Sequence, residues 1–473
     1  MKITDTGRLL AKNSLFYTMS LGLRVLFTAL IFLYMANVLP VDDFGKMTLG
    51  NAYGKLMVIF VSFGFFQFVI RQIAERQEDA HKYLVNIIFL MFVFSFSTFA
   101  VSGVLVKILK YSYQTIIIVN LFLLYNIVGS VAQLISSFFR GVMKFEYEFY
   151  SAIVPDILMF VSIIYLVHIN ANLYLICFAF ILSRVLYALV ALYFYIKNFG
   201  FPGLKKNLNL MFAKNILRET YPFALWMAME LLYMQIGTII LSYYAPESKV
   251  GIFQGAFGVI ILGQFGLGIV VTVFYPYVSK KYVQGMEEMK KSVTVANNSI
   301  LIVILPLLFF IYYFSKDIME LVYRNSTEIS GAWPVLSFLA IAYFFLYAPP
   351  FSHLFLAMKR QDINLKVSIF TNIVNIVASF ILIPRYQEIG VCIASLIAFV
   401  FLRIIFIANY LKYKIPMFNK ETLYHAILPF IVYLVLVLGI KIGFFASLAV
   451  TAILIIGNLF LYLQTIKDIE IAK

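Results

Sequence analysis

Charged residues lie inside long apolar runs of this 473-residue sequence, where charge is unusual. They are Arg24, Lys55, Asp156, Arg184, Glu230 and Arg403. Charge at bilayer depth is costly, so each is a candidate for a binding or ion-coupling role. Each could instead lock two helices together in an ion pair, and Lys55, near the end of its run, could extend its ammonium group to the membrane surface.

These charges are unevenly divided along the chain. Before residue 200 three are basic and one is acidic, whereas the two that follow cancel each other. A basic interior suits an anionic ligand, because a guanidinium presents a planar fork to phosphate oxygens. An exporter of organic cations is expected to show the opposite, an acidic and aromatic cavity.

Arg140 adds a basic group at the end of a polar stripe on one face of a predicted helix, which also carries Asn126, Ser130, Gln133 and Ser137. The sequence therefore predicts two sets of site residues. An anionic substrate is expected to contact Arg24, Arg184, Lys55, Arg140 and Arg403. A coupling ion is expected at Glu230 and Asp156.

The elements that must carry these residues are membrane-spanning helices. Hydrophobic residues make up 63% of the chain and charged residues 12%, against roughly 45–50% and about 25% in soluble proteins. This composition excludes soluble enzymes and disordered scaffolds. Apolar runs predict fourteen spans, which are helical because a lipid-embedded segment must satisfy its own backbone hydrogen bonds. The spans are 14–38, 50–70, 84–106, 115–139, 150–169, 172–196, 221–244, 251–278, 293–314, 332–357, 367–383, 389–411, 426–440 and 443–466.

The distribution of basic residues predicts the orientation. With the N-terminus inside, 25 of the 37 Lys and Arg residues fall on the inner segments and 8 on the outer loops. We therefore expect both termini to be cytoplasmic. The outer loops are too short for a catalytic domain, and no GxxxxGK[ST] motif occurs, so ATP is not expected as the direct energy source.

A duplicated motif indicates an internal repeat. Pro40 and Gly45 follow the first span, and Pro246 and Gly251 follow the seventh at a displacement of 206 residues. Shorter matches recur in the same order farther along the chain. Six spans per repeat is an even number, so both repeats start from the inside and are parallel.

The repeat predicts the domain organisation. We expect a six-helix bundle at 1–196, a basic cytoplasmic linker at 197–219 and a second six-helix bundle at 220–411. Two additional spans and a short cytoplasmic tail occupy 412–473.

Sequence motifs resemble one family of exporters. Residues 36–45 read AxxLPxxxFG, residues 63–74 read FGxxxxxxRxIA, residues 274–285 read FYPYVSKKYVQG, and residues 375–395 read NIVASFILIPRYQEIGVCIAS. The sequence resembles the polysaccharide transporter branch, or Wzx-type flippases, of the multidrug/oligosaccharidyl-lipid/polysaccharide (MOP) exporter superfamily. Glu388 departs from the pattern, since glycine is common there.

The resemblance implies an all-α polytopic, MATE-like fold and a function. Such proteins move undecaprenyl-pyrophosphate-linked oligosaccharides, the units of O-antigen, capsule or exopolysaccharide, across the bacterial inner membrane. The implied partners are the bilayer, the lipid-linked oligosaccharide, and the polysaccharide polymerase and chain-length proteins, with no nucleic acid. No cofactor is implied beyond coupling to an H⁺ or Na⁺ gradient. A multidrug exporter of the same fold and a membrane polysaccharide polymerase remain alternatives.

The repeat also relates two of the charged residues. Arg24 lies 16 residues before Pro40, and Glu230 lies 16 residues before Pro246. Opposite charges at equivalent positions predict that Arg24 and Glu230 face each other and pair in one state of a transport cycle.

Overall fold

The computed structural model consists, in its described part, of helices and the turns that connect them, and contains no strand there. It describes the backbone of residues 3–471, and the side chains of that range except those at 3–15, 17, 21, 204, 205, 226, 264–273, 423 and 465–471. The chain forms two compact units, Met1–Gly251 and Ile252–Lys473.

Long apolar helices build the first unit. Its helices are α1 (Ile3–Val38), α2 (Val41–Ser62), α3 (Phe65–Glu75), α4 (Ala80–Ile108), α5 (Tyr113–Gly141), α6 (Phe145–His168), α7 (Leu173–Phe199), α8 (Leu204–Asn207) and α9 (Leu210–Tyr244). Helix α10 (Glu247–Gln284) begins in this unit and ends in the second.

The second unit combines long helices with several short ones. They are α11 (Met286–Tyr313), α12 (Ser315–Val322), α13 (Thr327–Ser330), α14 (Trp333–Tyr347), α15 (Leu354–Ala357), α16 (Gln361–Lys412), α17 (Lys420–Thr422), α18 (Leu428–Leu434) and α19 (Phe444–Ile471). Two π-helical turns, Leu423–Ile427 and Val435–Gly439, flank α18.

The prediction of an all-α polytopic membrane protein is confirmed. Among the described residues, nine helices are long and apolar enough to cross a membrane, or up to eleven if each bent pair is one span. The predicted spans 367–383 and 389–411 lie together on the 52-residue α16, which is interrupted at the non-helical Gln387. The predicted span 332–357 contains the shorter apolar α14.

The division into two six-helix bundles stays a prediction. The contact boundary lies at Gly251, so α9 belongs to the first unit. The predicted linker 197–219 is partly helical, because it includes α8 and the first turns of α9.

Two bent helices meet within the first unit. The axes of α2 and α3 differ by 42° across Phe63 and Gly64, and α9 bends by 47° between Leu225 and Met227. Gly64 has a φ of +73°, and a Cβ there would lie 2.7 Å from the Cβ of Phe223. Glycine at this break therefore permits both the left-handed backbone conformation and the close approach to α9.

Each of the two duplicated glycines packs against the backbone of the other copy of the motif. A Cβ at Gly45 would lie 1.9 Å from the carbonyl oxygen of Glu247, and a Cβ at Gly251 would lie 2.7 Å from that of Val41. Since residues 41 and 247 are also 206 positions apart, the contact is reciprocal, as in a two-fold interface. The first turns of α2 and α10 thus cross at backbone distance, on the side that the loop charges predict to be external.

Further contacts hold this crossing. The hydroxyl of Thr115, at the start of α5, donates to the carboxylate of Glu247 at 2.7 Å. Helix α2 is fixed to α5 by two more glycines, since a Cβ at Gly50 or Gly54 would meet Phe122 within 2.8 Å. Small residues one helical turn apart allow this close packing of membrane helices, so α2 and α5 meet α10 as one body.

The crossing is tested with a cysteine pair at Thr115 and Glu247 in a background lacking Cys177 and Cys392. A short thiol crosslinker should join the pair efficiently. Gly45→Ala should reduce the crosslinked fraction several-fold, because the added methyl group must push the Glu247 backbone away.

Gly103→Ala is the matched control, because nothing lies within 4 Å of a Cβ at Gly103. Equal crosslinking in the Gly45 and Gly103 variants would contradict the proposed close crossing.

Candidate functional site

Two arginines of the first unit converge on a single carboxylate. The Nε of Arg24 lies 3.5 Å from one carboxylate oxygen of Asp156. The Nη1 of Arg184 lies 3.2 Å from the other oxygen. Two positive charges and one negative charge leave this cluster with a net positive charge.

Three helices position the cluster. Arg24 lies on α1, Asp156 on α6 and Arg184 on α7, and α6 packs against both α1 and α7. Each of the three charges lies within a predicted apolar span whose backbone groups are satisfied by the helix itself, so the charges must satisfy one another. The structure therefore brings together three of the residues that the sequence predicted as separate candidates.

Tyrosines complete the surroundings of both arginines. The Tyr125 hydroxyl accepts a hydrogen bond from Nη2 of Arg184 at 2.9 Å. The guanidinium of Arg24 lies 5.0 Å from the centre of the Tyr187 ring, and the Tyr187 hydroxyl is 2.7 Å from that of Ser136. An aromatic face stabilises a desolvated cation, so these tyrosines help to hold the two guanidinium groups.

The aliphatic part of one arginine packs against a glycine. A Cβ at Gly129 of α5 would lie 3.4 Å from Cδ of Arg184, whose aliphatic stem therefore crosses α5 at that point. Neither Gly129 nor the two tyrosines was among the predicted site residues. The polar stripe predicted on α5 begins at Asn126 and omits Tyr125, and only the fold shows that Tyr125 meets Arg184.

The two arginines differ in what remains available for a ligand. Arg184 is 10% exposed and Arg24 24% exposed at their side chains. The Nη2 atom of Arg24 has no hydrogen-bond partner among the described residues. Arg24 thus retains unused donor capacity, at a nitrogen that the surrounding protein covers in this conformation.

Glu230 and Lys55 lie apart from this cluster. Both side chains are exposed, on α9 and α2 respectively, and neither forms an ion pair with a described residue. In this conformation Arg24 pairs with Asp156, so the predicted pairing of Arg24 with Glu230 stays a prediction for another state.

The guanidinium of Arg140 is already hydrogen-bonded to a carboxylate. Its Nε and Nη2 donate to the two carboxylate oxygens of Glu148 at 2.8 and 2.7 Å. Glu148 is buried and belongs to the first turn of α6, so the pair ties the ends of α5 and α6 together. The sequence did not single out Glu148, because it lies just before the predicted span 150–169.

Arg403 lies in the second unit and closes the end of a helix. Its three guanidinium nitrogens donate to the backbone carbonyls of Phe345, Leu346 and Pro350. Phe345 and Leu346 lie in the last turn of α14, where carbonyls lack partners within the helix and the helix dipole attracts a cation. These contacts favour a structural role for Arg403.

Solved structures share this architecture. The lipid II flippase MurJ in an inward closed conformation has a TM-score of 0.78 at 13% identity, covering 96% of this chain and 99% of that chain. An inward-facing MATE family multidrug resistance transporter of the MOP superfamily has a TM-score of 0.67 at 16% identity, covering 83% and 94%. A MOP superfamily transporter from Pyrococcus furiosus has a TM-score of 0.58 at 15% identity, covering 86% and 95%. The fold is therefore that of the MOP exporters, as the sequence predicted.

Sequence comparison assigns the family. The model of the polysaccharide biosynthesis protein family matches residues 10–282, more than half of the chain, so the chain belongs to that family. An uncharacterized membrane protein of Methanocaldococcus jannaschii is 23% identical over 404 residues, which cover 77% of this chain and 78% of the relative.

The contrast between Arg403 and Arg24 predicts different effects on stability. Arg403→Ala leaves three carbonyls without their donor, and each unsatisfied buried group costs about 1–3 kcal/mol. Arg24→Ala leaves Asp156 still paired with Arg184. Thermal unfolding of the purified protein in detergent should therefore show a clearly lower melting temperature for Arg403→Ala and little change in melting temperature for Arg24→Ala. An equal fall in melting temperature for the two variants would contradict the structural role of Arg403 and the incomplete pairing of Arg24.

Proposed function

We propose that this protein is a secondary-transport flippase for polyprenyl-pyrophosphate-linked oligosaccharides and works by alternating access. The observation that carries the proposal is the Arg24–Asp156–Arg184 cluster, which has a net positive charge and a buried guanidinium donor without a described hydrogen-bond partner. It lies on predicted spanning segments, where a transporter meets its substrate.

The chemistry of the cluster fits a pyrophosphate. Asp156 satisfies two guanidinium groups with one negative charge, whereas a pyrophosphate offers more negative charge and more acceptor oxygens to the same two forks. Arginine is suited to this exchange, because its planar donors bind phosphate oxygens in pairs. A ligand that pairs with the arginines would release Asp156, which then becomes a site for a proton or Na⁺.

The comparisons support the substrate class without identifying the glycan. The family is named for polysaccharide biosynthesis, and MurJ is described as a lipid II flippase. A multidrug exporter shares the fold, but the basic cluster favours an anionic substrate over organic cations. For the polymerase alternative, the predicted outer loops offer no place for a catalytic domain.

The setting is part of the proposal. We place the protein in the bacterial inner membrane with both termini in the cytoplasm. The polysaccharide polymerase and chain-length proteins would then act on the exported units, and transport would draw on an H⁺ or Na⁺ gradient.

The pyrophosphate site is tested with Arg24→Ala and Arg184→Ala. A short-chain prenyl pyrophosphate should raise the melting temperature of the purified protein more than the matching prenyl alcohol does. Losing one charge-assisted interaction of about 1.5–3 kcal/mol should weaken binding roughly ten- to a hundredfold. Arg24→Lys should retain part of the effect as a point charge.

The exposed Arg76→Ala serves as the control and should bind as the wild type does. Normal pyrophosphate binding and glycan export by the double variant Arg24→Ala/Arg184→Ala would rule out this site.

The coupling role of Glu230 needs its own experiment. Glu230 is an exposed carboxylate on a predicted span, without a described cation partner. Its predicted pairing with Arg24 in another state would make its affinity for a proton or Na⁺ differ between states, as coupling requires. In proteoliposomes, Glu230→Gln should therefore keep substrate counterflow and lose gradient-driven uptake. Glu328→Gln, in a predicted outer loop, is the control. If Glu230→Gln keeps both activities at wild-type rates, coupling at Glu230 is excluded and Asp156 becomes the candidate.

A further inference from the structure

The segment at 200–221 presents an unusual surface. It includes the loop after α7, the short α8 and the first turns of α9. We call it the linker segment, and it largely overlaps the predicted linker 197–219. Its side chains include both basic residues and large apolar residues that are strongly exposed. Phe201 is 75% exposed and Met211 is 69% exposed.

A buried asparagine fixes the linker segment to α4. The side-chain amide of Asn86 donates to the carbonyl of Asn207 at 2.8 Å, and its oxygen accepts from the backbone N–H of Asn209 at 2.9 Å. Phe212 adds ring contacts, since it lies 5.1 Å from the ring of Tyr83 and 4.2 Å from Nζ of Lys82. The exposed surface is therefore held in a defined place.

The first turns of α9 have two different faces. Ala213, Ile216 and Thr220 repeat at helical spacing and are buried. The opposite face carries Met211, Lys214, Arg218 and Tyr221, which are all exposed. Spacings of three and four residues align each set along one side of the helix.

The described cations of this surface have no acidic partner among the residues that the structure describes. Lys206, Lys214 and Arg218 form no ion pair with any described acidic residue. The neighbouring Glu219 instead lies 3.6 Å from Arg71 and 3.4 Å from Gln72. The exposed face therefore combines unpaired positive charge with apolar side chains that water solvates poorly.

This combination is complementary to one environment. A helix that lies in the interface between lipid headgroups and acyl chains shows basic residues beside exposed large apolar ones. Anionic headgroups neutralise the cations, while the apolar side chains enter the outer part of the hydrocarbon. Exposing Phe201, Leu210 and Met211 together to water alone is unfavourable, because water solvates large apolar side chains poorly.

We infer that the linker segment is a docking surface for anionic phospholipids of the membrane in which the protein resides. Lys206, Lys214 and Arg218 bind the headgroups, and Phe201, Leu210 and Met211 enter the interface. The bound lipids hold the first part of α9 on the membrane surface, next to the bend at Leu225. This inference does not depend on which substrate is carried.

The test uses tryptophan fluorescence in the full-length protein. Trp226 and Trp333 are the native tryptophans, so Trp226→Phe/Trp333→Phe provides a silent background for the reporter Met211→Trp. The protein is reconstituted in vesicles that contain either phosphatidylglycerol or phosphatidylcholine brominated near the headgroup end of the acyl chains, at equal mole fraction. Each basic residue near an anionic lipid surface enriches that lipid by up to roughly fivefold, so the brominated phosphatidylglycerol should quench the reporter more strongly.

The stronger quenching by phosphatidylglycerol than by phosphatidylcholine should disappear in the triple variant Lys206→Gln/Lys214→Gln/Arg218→Gln. It should also weaken at high salt, which screens the charges. The matched control is Lys281→Gln/Lys290→Gln/Lys291→Gln, because these lysines already pair with Glu287 or Glu288. The control should leave the selectivity unchanged.

Two outcomes would overturn the inference. Equal quenching by the two lipids at low salt would show that headgroup charge does not matter. Absence of quenching by both would show that the surface is covered by water or by another protein. Folding of the triple variant is checked by its melting temperature, and native-like melting with unchanged selectivity would also refute the assignment.

Discussion

The sharing of one carboxylate by two guanidinium groups joins three helices of the first unit. Charge within a membrane-spanning segment must be neutralised locally. Asp156 on α6 does this for Arg24 on α1 and for Arg184 on α7. Removing Asp156 would leave two like charges facing each other, whereas removing one arginine would leave a neutral pair. The cluster is therefore both a joint between helices and an incompletely neutralised site.

Physical environment explains why the other basic candidates differ from these two. Arg140 meets a buried glutamate with ideal fork geometry, and Arg403 meets carbonyls at the end of α14. In both cases protein oxygens accept hydrogen bonds from at least two of the three guanidinium nitrogens. Arg24 is the exception, since an Nη2 donor remains without a described partner. The donor without a described partner, more than charge alone, sets Arg24 apart from Arg140 and Arg403.

The sequence predicted the fold class, and it singled out Arg24, Asp156 and Arg184, because charge inside an apolar run is visible without a structure. It could not predict which charges pair, since pairing depends on how helices rotate and how deep each residue lies. Glu148 escaped notice because it lies at the edge of a span, where charge is ordinary. The role of Arg403 depends on where α14 ends, and the apolar run 332–357 does not reveal that end.

The duplicated glycines show how a repeat in sequence becomes a contact in space. Gly45 approaches Glu247 as Gly251 approaches Val41, so equivalent residues of the two repeats exchange roles across one crossing. Side chains are absent at the closest points, hence the contact depends on backbone shape and is little affected by divergence elsewhere. The charged positions have diverged instead, with Arg24 in one repeat and Glu230 at the equivalent place in the other. The contact geometry is thus the same at both copies of the motif, whereas the charges sixteen residues before the two prolines differ in sign.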